Sequence, residues 1–448
     1  MIQAAPAAKP DRVFAHRDYS LFWASRFAST LGVMVEGVTL GWQVYDVARH
    51  SLSVAQSAFM VGLIGLAQFL PLFALTLVAG AVADHFDRKK IYVACLASEI
   101  LCVGLLVWIS LMAHPPLWAI FAIAAAFGAI RSFQSPAMSA ISPMLVPRAI
   151  LPRAIALSSL AWQTGAILGP WLGGALVAAS PATAYGAAAG LYLVAALAIS
   201  LIRTPTQPQR QTGSRVAMVR EGLDYVWGNK IVLGAVSLDL VAVLLGGATA
   251  LLPVYARDIL HVGAGGFGAL RSGPAIGACA CAFVLGRRPL TRRAGLWMFG
   301  AVALFGLATV VFALSRVMAL SILALAVLGG ADMVSVFVRQ TLVQVTTPDA
   351  MRGRVAAVSN VFVGASNELG EFESGMVARL LGPVGAALFG GVGSVVATAV
   401  WAKLFPTPTE GGPADCAGHG RRLTRPPVRP YVLPARASPG VGRSLARA

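Results

Sequence analysis

Glu36, Arg131, Asp332, Glu368 and Glu371 each stand inside a long run of apolar residues. An ionised side chain near the centre of a lipid-spanning helix costs about 2.5–3.5 kcal/mol, so such residues usually serve an ion, a proton or a charged solute. Arg26, Glu99, Asp239, Arg271, Arg339 and Glu373 share this setting. Glu36 lies past the middle of the first run and is the best placed carboxylate for proton exchange. Held away from water, it could load and release a proton at working pH. The plainer alternative is a permanent hydrogen bond to a neighbouring helix. Glu368 and Glu371 are three residues apart and share a helix face, whereas Glu373 points elsewhere. Three acids in six residues of a lipid span point to proton or cation binding. Arg26 and Arg339 lie near helix ends and are expected to snorkel. Asp239, Arg271 and Glu99 receive no assignment.

The elements that must carry these residues are membrane spans. Hydrophobic residues make up 57% of 448 positions and charged residues 12%, which leaves too little polar surface for a water-soluble protein. Runs such as Ser53 to Gly80, Ile91 to Ala113 and Ile231 to Ala256 each exceed the ~20 helical residues that cross a hydrocarbon core. Twelve candidate spans start near residues 20, 53, 90, 116, 155, 182, 231, 264, 294, 318, 355 and 383. The expected segments are an N-terminal stretch 1–19, a six-helix bundle 20–202, a linker 203–230, a second six-helix bundle 231–405, and a basic tail 406–448. The tail, rich in Pro, Gly and Arg, reads as disordered. No cleavable signal is expected, because polar residues including Lys9, Arg12 and Arg17 lead directly into the first apolar run.

The net charge of +17 does not read as a nucleic-acid footprint. Arg49, Arg257, Arg316 and Arg379 fall in one set of loops and Arg26, Arg131, Arg271 and Arg339 in spans; the other Lys and Arg residues fall in the termini and the opposite loops. That asymmetry places both termini in the cytoplasm. Cys95, Cys102, Cys279, Cys281 and Cys416 form no disulfide framework, and neither they nor the six histidines show metal spacing.

The halves repeat at an ungapped offset of 201 residues. "PRAILPR" (Pro147 to Arg153) lies over "PDAMRGR" (Pro348 to Arg354), Gly128 over Gly329, and Arg131 over Asp332. In the same register "TGAILGPWLGGAL" (Thr164 to Leu176) lies over an acidic stretch, so that Glu371 stands where Pro170 stands. Gly165, Gly169, Gly173 and Gly174 form a stripe of small residues of the kind that lets lipid-embedded helices approach closely. Pro170 removes one backbone hydrogen bond and is expected to kink its helix.

Three local motifs resemble those of the major facilitator superfamily. "GAVADHFDRKK" resembles its motif A in Gly80, Asp84, Arg88, Lys89 and Lys90; "LGRRPLTRR" is a degenerate second copy. "GAILGPWLGG" fits motif C at Gly165, Gly169, Pro170, Gly173 and Gly174, and "RSFQS" resembles motif B in Arg131 and Gln134. "LFWASRFASTLG", "LGWQVYD" and "TPDAMRGRV" look like the exporter branch that includes enterobactin and macrolide efflux proteins, the transmembrane secretion effectors. The resemblance implies an all-α membrane protein with twelve transmembrane helices in two pseudo-symmetric bundles. It implies that the fourth and tenth spans line a central cavity, so that a pseudo-twofold axis could bring Arg131 and Asp332 together. It also implies that Gly80, Asp84 and Arg88 clasp the halves at the cytoplasmic side.

The function expected is a proton-coupled exporter of an organic small molecule, such as a siderophore or drug, working by alternating access. Glu36, Arg131, Asp332, Glu368 and Glu371 would couple solute to protons. A proton-coupled importer of the same fold and a non-transporting scaffold are the alternatives. No nucleophile motif or metal constellation favours an enzyme. The expected partners are a small organic solute, protons and the bilayer, with no nucleic acid, cofactor or metal. A monomer in the bacterial inner membrane is expected.

Overall fold

The computed structural model describes residues 13–207, 215–287 and 294–404. Among them the chain is helical throughout. Six long helices come first: α1 (Arg17–Arg49), α2 (Val54–His85), α3 (Arg88–Ser110), α4 (Leu117–Ile141), α5 (Leu151–Ala179) and α6 (Pro181–Ser200). A shorter helix, α7 (Arg215–Gly228), lies in the stretch expected to be only a linker. Next come α8 (Lys230–Leu245), a single turn α9 (Leu252–Val254), α10 (Gly263–Arg287), α11 (Ala294–Leu314), α12 (Met318–Thr346) and α13 (Asp349–Leu404). The helices alternate in direction, so the bundle has a near end, where α1 starts, and a far end, where α1 stops.

Local chemistry sets the ends. At α2 the Ser53 side chain accepts from the Gln56 N–H at 3.3 Å while Gln56 accepts from the Ser53 N–H at 3.1 Å, a reciprocal cap. Asp87 caps α3 through the Lys89 N–H, and Ser180 caps α6 just before Pro181. Gly382, at φ 76°, breaks α13 into two legs before Pro383. These legs match the two spans expected to start near 355 and 383.

Among the described residues nine segments are long and apolar enough to cross a membrane, and the last, Phe362–Leu404, runs across that break. α1 and α5 are not in that set, yet α5 packs along both α1 and α10. Large apolar side chains such as Leu101, Trp108, Leu193, Phe283 and Leu307 point outward from the bundle, as lipid contact requires. Inside, several tyrosines are fully buried with a partner for the hydroxyl. Tyr19 donates to the Ala154 carbonyl at 2.6 Å and Tyr255 to the Ala313 carbonyl at 3.0 Å.

Packing inside each half follows the repeat. A Cβ at Gly128 of α4 would run into the Gln68 backbone of α2, and one at Gly329 of α12 would run into the Pro274 backbone of α10. The two glycines are repeat-related, and so are the helix pairs they bring together. α7 belongs with the second half: Tyr225 donates to the Thr346 carbonyl at 2.7 Å, and Arg354 pairs with Glu221.

The halves meet along two helix pairs, α2 with α13 and α5 with α10. Glycines set both approaches. A Cβ at Gly62 would lie 2.7 Å from the Gly375 Cα, and one at Gly174 would lie 2.6 Å from the Gly268 Cα. Ser272 also donates across the second pair, to the Ile167 carbonyl, at 2.9 Å. At the far end Arg257 pairs with Asp46, and Asp258 takes both Arg49, at 3.3 Å, and the Tyr45 hydroxyl.

Candidate transport site

The site is a cavity between the halves, about 150 Å³ in volume. Its walls come from α1, α2, α4, α9, α10 and α13, and from a 3₁₀ turn, Ala248–Leu251, that follows α8. The turn exists because the seventh span is not one straight helix. Gly246 and Gly247 end α8, and a Cβ on Gly247 would collide with the Gly370 carbonyl of α13. The chain then passes through α9 and a π turn, Tyr255–Ile259, which presents Arg257 and Asp258 to the far-end ion pairs. Irregular backbone at membrane depth is tolerated where it faces protein or a cavity.

Arg131 of α4 organises the polar wall. Its Nη1 donates to Gln68 Oε1 at 2.7 Å. Its Nη2 lies 3.8 Å from Glu36 Oε1 on α1, and Nη1 lies 3.9 Å from Glu368 Oε1 on α13. One guanidinium is thus shared between a carboxylate of its own half and one of the other half. Glu36 is fully buried; Tyr192 of α6 donates to its Oε2 at 2.8 Å, while Oε1 has no hydrogen-bond partner. Arg271 of α10 faces Glu371 of α13 at 3.6 Å and donates to the Thr249 carbonyl at 3.3 Å. Together Arg131 and Arg271 serve Glu36, Glu368 and Glu371, one acid more than there are cations.

Glu99 of α3 lies behind this wall, 1% exposed, where Gln134 Nε2 donates to both its oxygens at 3.0 and 3.1 Å. Arg271 and Glu99, unassigned from sequence, therefore join the polar framework. The signal available was the run itself: each is an ionisable residue in an otherwise apolar span.

Asp332 is placed elsewhere. Arg131 does not meet it across the cavity; its ion pairs are with Glu36 and Glu368. Asp332 borders a small pocket inside the second half, beside Asp239 and Ser335. Equivalent helices present side chains of different length and direction, so equal position in a repeat does not ensure convergence on the axis. Arg339 also departs from expectation. It does not snorkel but is 4% exposed, with Nε 3.2 Å from Asp239 and Nη1 donating to Ser359 at 3.0 Å. Glu373 lies away from the cavity and accepts from the Ser374 hydroxyl.

The glycine stripe does two jobs. Gly165, Gly169 and Gly173 face α1: added Cβ atoms would lie 2.7 Å from Thr30 Cγ2, against Met34 Cβ, and 3.1 Å from Val35 Cα. Gly174 instead faces α10 of the other half. Pro170 is buried in an α5 that runs unbroken through it. At the near end, Arg88 Nη1 donates to the Ala140 carbonyl at 3.4 Å, and Lys89 Nζ donates to the Ser200 and Ile202 carbonyls at 2.9 and 2.6 Å. These basic groups satisfy carbonyls at helix C-termini of their own half. Gly80 is buried and Asp84 half-buried.

Residues 10–426 match the transmembrane secretion effector family of the major facilitator superfamily. The chain belongs to this family. It is 27% identical over 423 residues to the enterobactin exporter EntS of Citrobacter koseri, covering 94% of this chain and 96% of that protein. It is 29% identical over 385 residues to EntS of Shigella boydii, covering 85% and 86%. Among solved structures it resembles the nucleoside transporter NupG, with TM-score 0.65 and 15% identity over 87% of this chain and all of that one. It also resembles a bacterial homologue of the human lysosomal transporter Spinster in an inward-facing, unoccupied conformation, with TM-score 0.64 and 15% identity over 89% and 96%. The chain is a multi-pass membrane protein with the fold of a transporter.

Proposed function

We propose that this protein is a proton-coupled exporter of a small organic solute, exchanging solute for protons as two six-helix halves alternate access to the central cavity. The observation that carries the reading is Arg131, poised at 3.8 Å from Glu36 of one half and 3.9 Å from Glu368 of the other. Neither distance is a tight hydrogen bond, so modest movement decides which acid keeps the cation. The acid that loses it gives up its nearest cation, and that place can be taken by a proton or by the cationic group of a solute. Solute and proton then compete for the same acid, which is what exchange requires.

The remaining features support the same cycle. Glycine contacts at Gly62–Gly375 and Gly174–Gly268 let the halves close tightly, and the ion pairs at Asp46, Arg49, Arg257 and Asp258 add a far-end latch. The near end is the cytoplasmic end, on the distribution of Lys and Arg, with both termini there and the protein acting as a monomer in the bacterial inner membrane. Gly80, Asp84, Arg88 and Lys89 then hold the near end of the first half together. Asp332 lies outside the cavity and acts through the second half if it takes part in coupling.

The test uses everted membrane vesicles with an acidic lumen. Among a panel of small organic amines, with and without an aromatic ring, at least one should accumulate in the lumen while protons leave it, and Glu36→Gln should abolish that coupling. Uptake that proceeds unchanged after the proton gradient is collapsed would exclude exchange.

A further inference from the structure

The glycines on α1 divide into two kinds. Gly32 is packed, since a Cβ there would lie 2.9 Å from the Tyr192 ring. Gly37 is not: a Cβ there would meet nothing within 4 Å. Nor does its backbone demand glycine, because it lies mid-helix with no positive φ. Glycine in a helix interior costs about 1 kcal/mol relative to alanine. The open side of Gly37 is the cavity, which it borders together with Gly41, one turn along the same face. A Cβ at Gly41 would reach the Phe267 ring at 3.8 Å and Pro253 at 3.9 Å, ordinary contact distances, so this end is narrower. Phe267 is itself backed by the Trp42 ring, centroids 5.9 Å apart and planes 25° from parallel.

We infer that Gly37 and Gly41 form the floor of the solute slot and select a solute that presents a single benzene-sized ring. The inference rests on the cavity being the transport site. Volume allows it, since a space of about 150 Å³ can hold benzene and the cavity here is of that size, apolar along Val38, Val61, Ile64 and Phe267 and open beside its charged groups. The bare α1 backbone at Gly37 gives a ring room, and the Phe267 ring closes the slot at the Gly41 end. Gln68 and the two arginine–glutamate pairs stand around it to receive polar substituents. A methyl group at Gly37 would project into the volume the ring needs and meet no protein atom within 4 Å.

The experiment measures binding to the purified full chain in nanodiscs, using benzoate, benzylamine and 2-naphthoate as probes. Wild type should bind at least one of the two one-ring probes and discriminate against the naphthoate. Gly37→Ala should weaken the one-ring probe by roughly 10–200-fold, the effect of one methylene in a specificity pocket. Gly37→Leu should abolish binding, and Gly37→Ala should not lower thermal stability. Gly186→Leu is the control: Gly186 on α6 is also open but lies on the exterior, and its substitution should change nothing. Unaltered affinity in both Gly37 variants overturns the inference, and so does a wild type that binds no ring. If Gly37→Leu fails to fold, Gly37→Ala decides. A wild type that exports a ring-free solute but binds none of the probes refutes the slot alone and leaves the exporter reading standing.

Discussion

Gly174→Ala is the smallest change that tests how the halves close. The new Cβ would lie 2.6 Å from Gly268 Cα, 2.7 Å from the Ala264 carbonyl oxygen and 2.8 Å from Gly268 N. All three are backbone atoms, so no rotamer change relieves the clash. Carbon atoms pack at about 3.5–4.0 Å, so α5 and α10 must part by about 1 Å. Overpacking of this kind costs about 1–3 kcal/mol. Because the contact crosses between halves, the cost falls on the far-end-closed state, and its population relative to other states should drop by about 5–150-fold. Spin labels at His50→Cys and Arg316→Cys, in a background lacking the native cysteines, report the far-end separation; both native residues are exposed. The distance distribution should shift to longer values in Gly174→Ala, with export slowed. Gly173→Ala supplies the comparison, since its contacts, 3.1–3.3 Å to Val35 and Val38, stay within one half. It should lower thermal stability without moving the distribution. An identical distribution for Gly174→Ala and wild type would refute the argument that this glycine gates closure.

Tyr192→Phe removes the donor to Glu36 and leaves both oxygens of a buried carboxylate without a hydrogen bond, which should cost about 1–3 kcal/mol, read as a lower melting temperature. Asp239→Asn removes the 3.2 Å partner of buried Arg339 and leaves it only the neighbouring Asp332, so it should cost up to about 3–5 kcal/mol, whereas Asp239→Leu combined with Arg339→Met should recover part of it; thermal unfolding of both variants and wild type checks the order. At the far end, Asp46→Lys should weaken the latch by no more than about 1 kcal/mol, because its ion pair is partly exposed. Adding Arg257→Glu should restore the wild-type spin-label distances.

The bundle was legible because its signal is local, in apolar runs of the right length; the caps at Ser53 and Asp87 and the Gly382 break that bound some of them emerge only from the structure. The close packing of the glycine stripe was legible too, although not that Gly174 alone among its members faces the other half. Several features depend on side-chain direction and could not be read from spacing. Arg131 and Asp332 are equivalent by repeat, yet one lines the cavity and the other a pocket within its own half. Arg339 was assigned to an interface from its depth in the sequence; its partner Asp239 lies a hundred residues away and becomes visible only when α8 and α12 are packed. The helix α7 was hidden because Arg215–Gly228 is short and charged, and the break after Leu245 because the apolar run continues through it.

Glu368 and Glu371 ride on one rod, but their counter-charges do not. Arg271 belongs to the same half as that rod and travels with it; Arg131 belongs to the opposite half and stays behind with Glu36. Parting the halves would therefore leave Arg131 neutralised by Glu36 on one lip of the opening and strand Glu368 without its cation on the other. The vestibule would carry one unmatched negative charge, on the second half, at the moment it is wettest, so a cationic guest would be drawn to that wall.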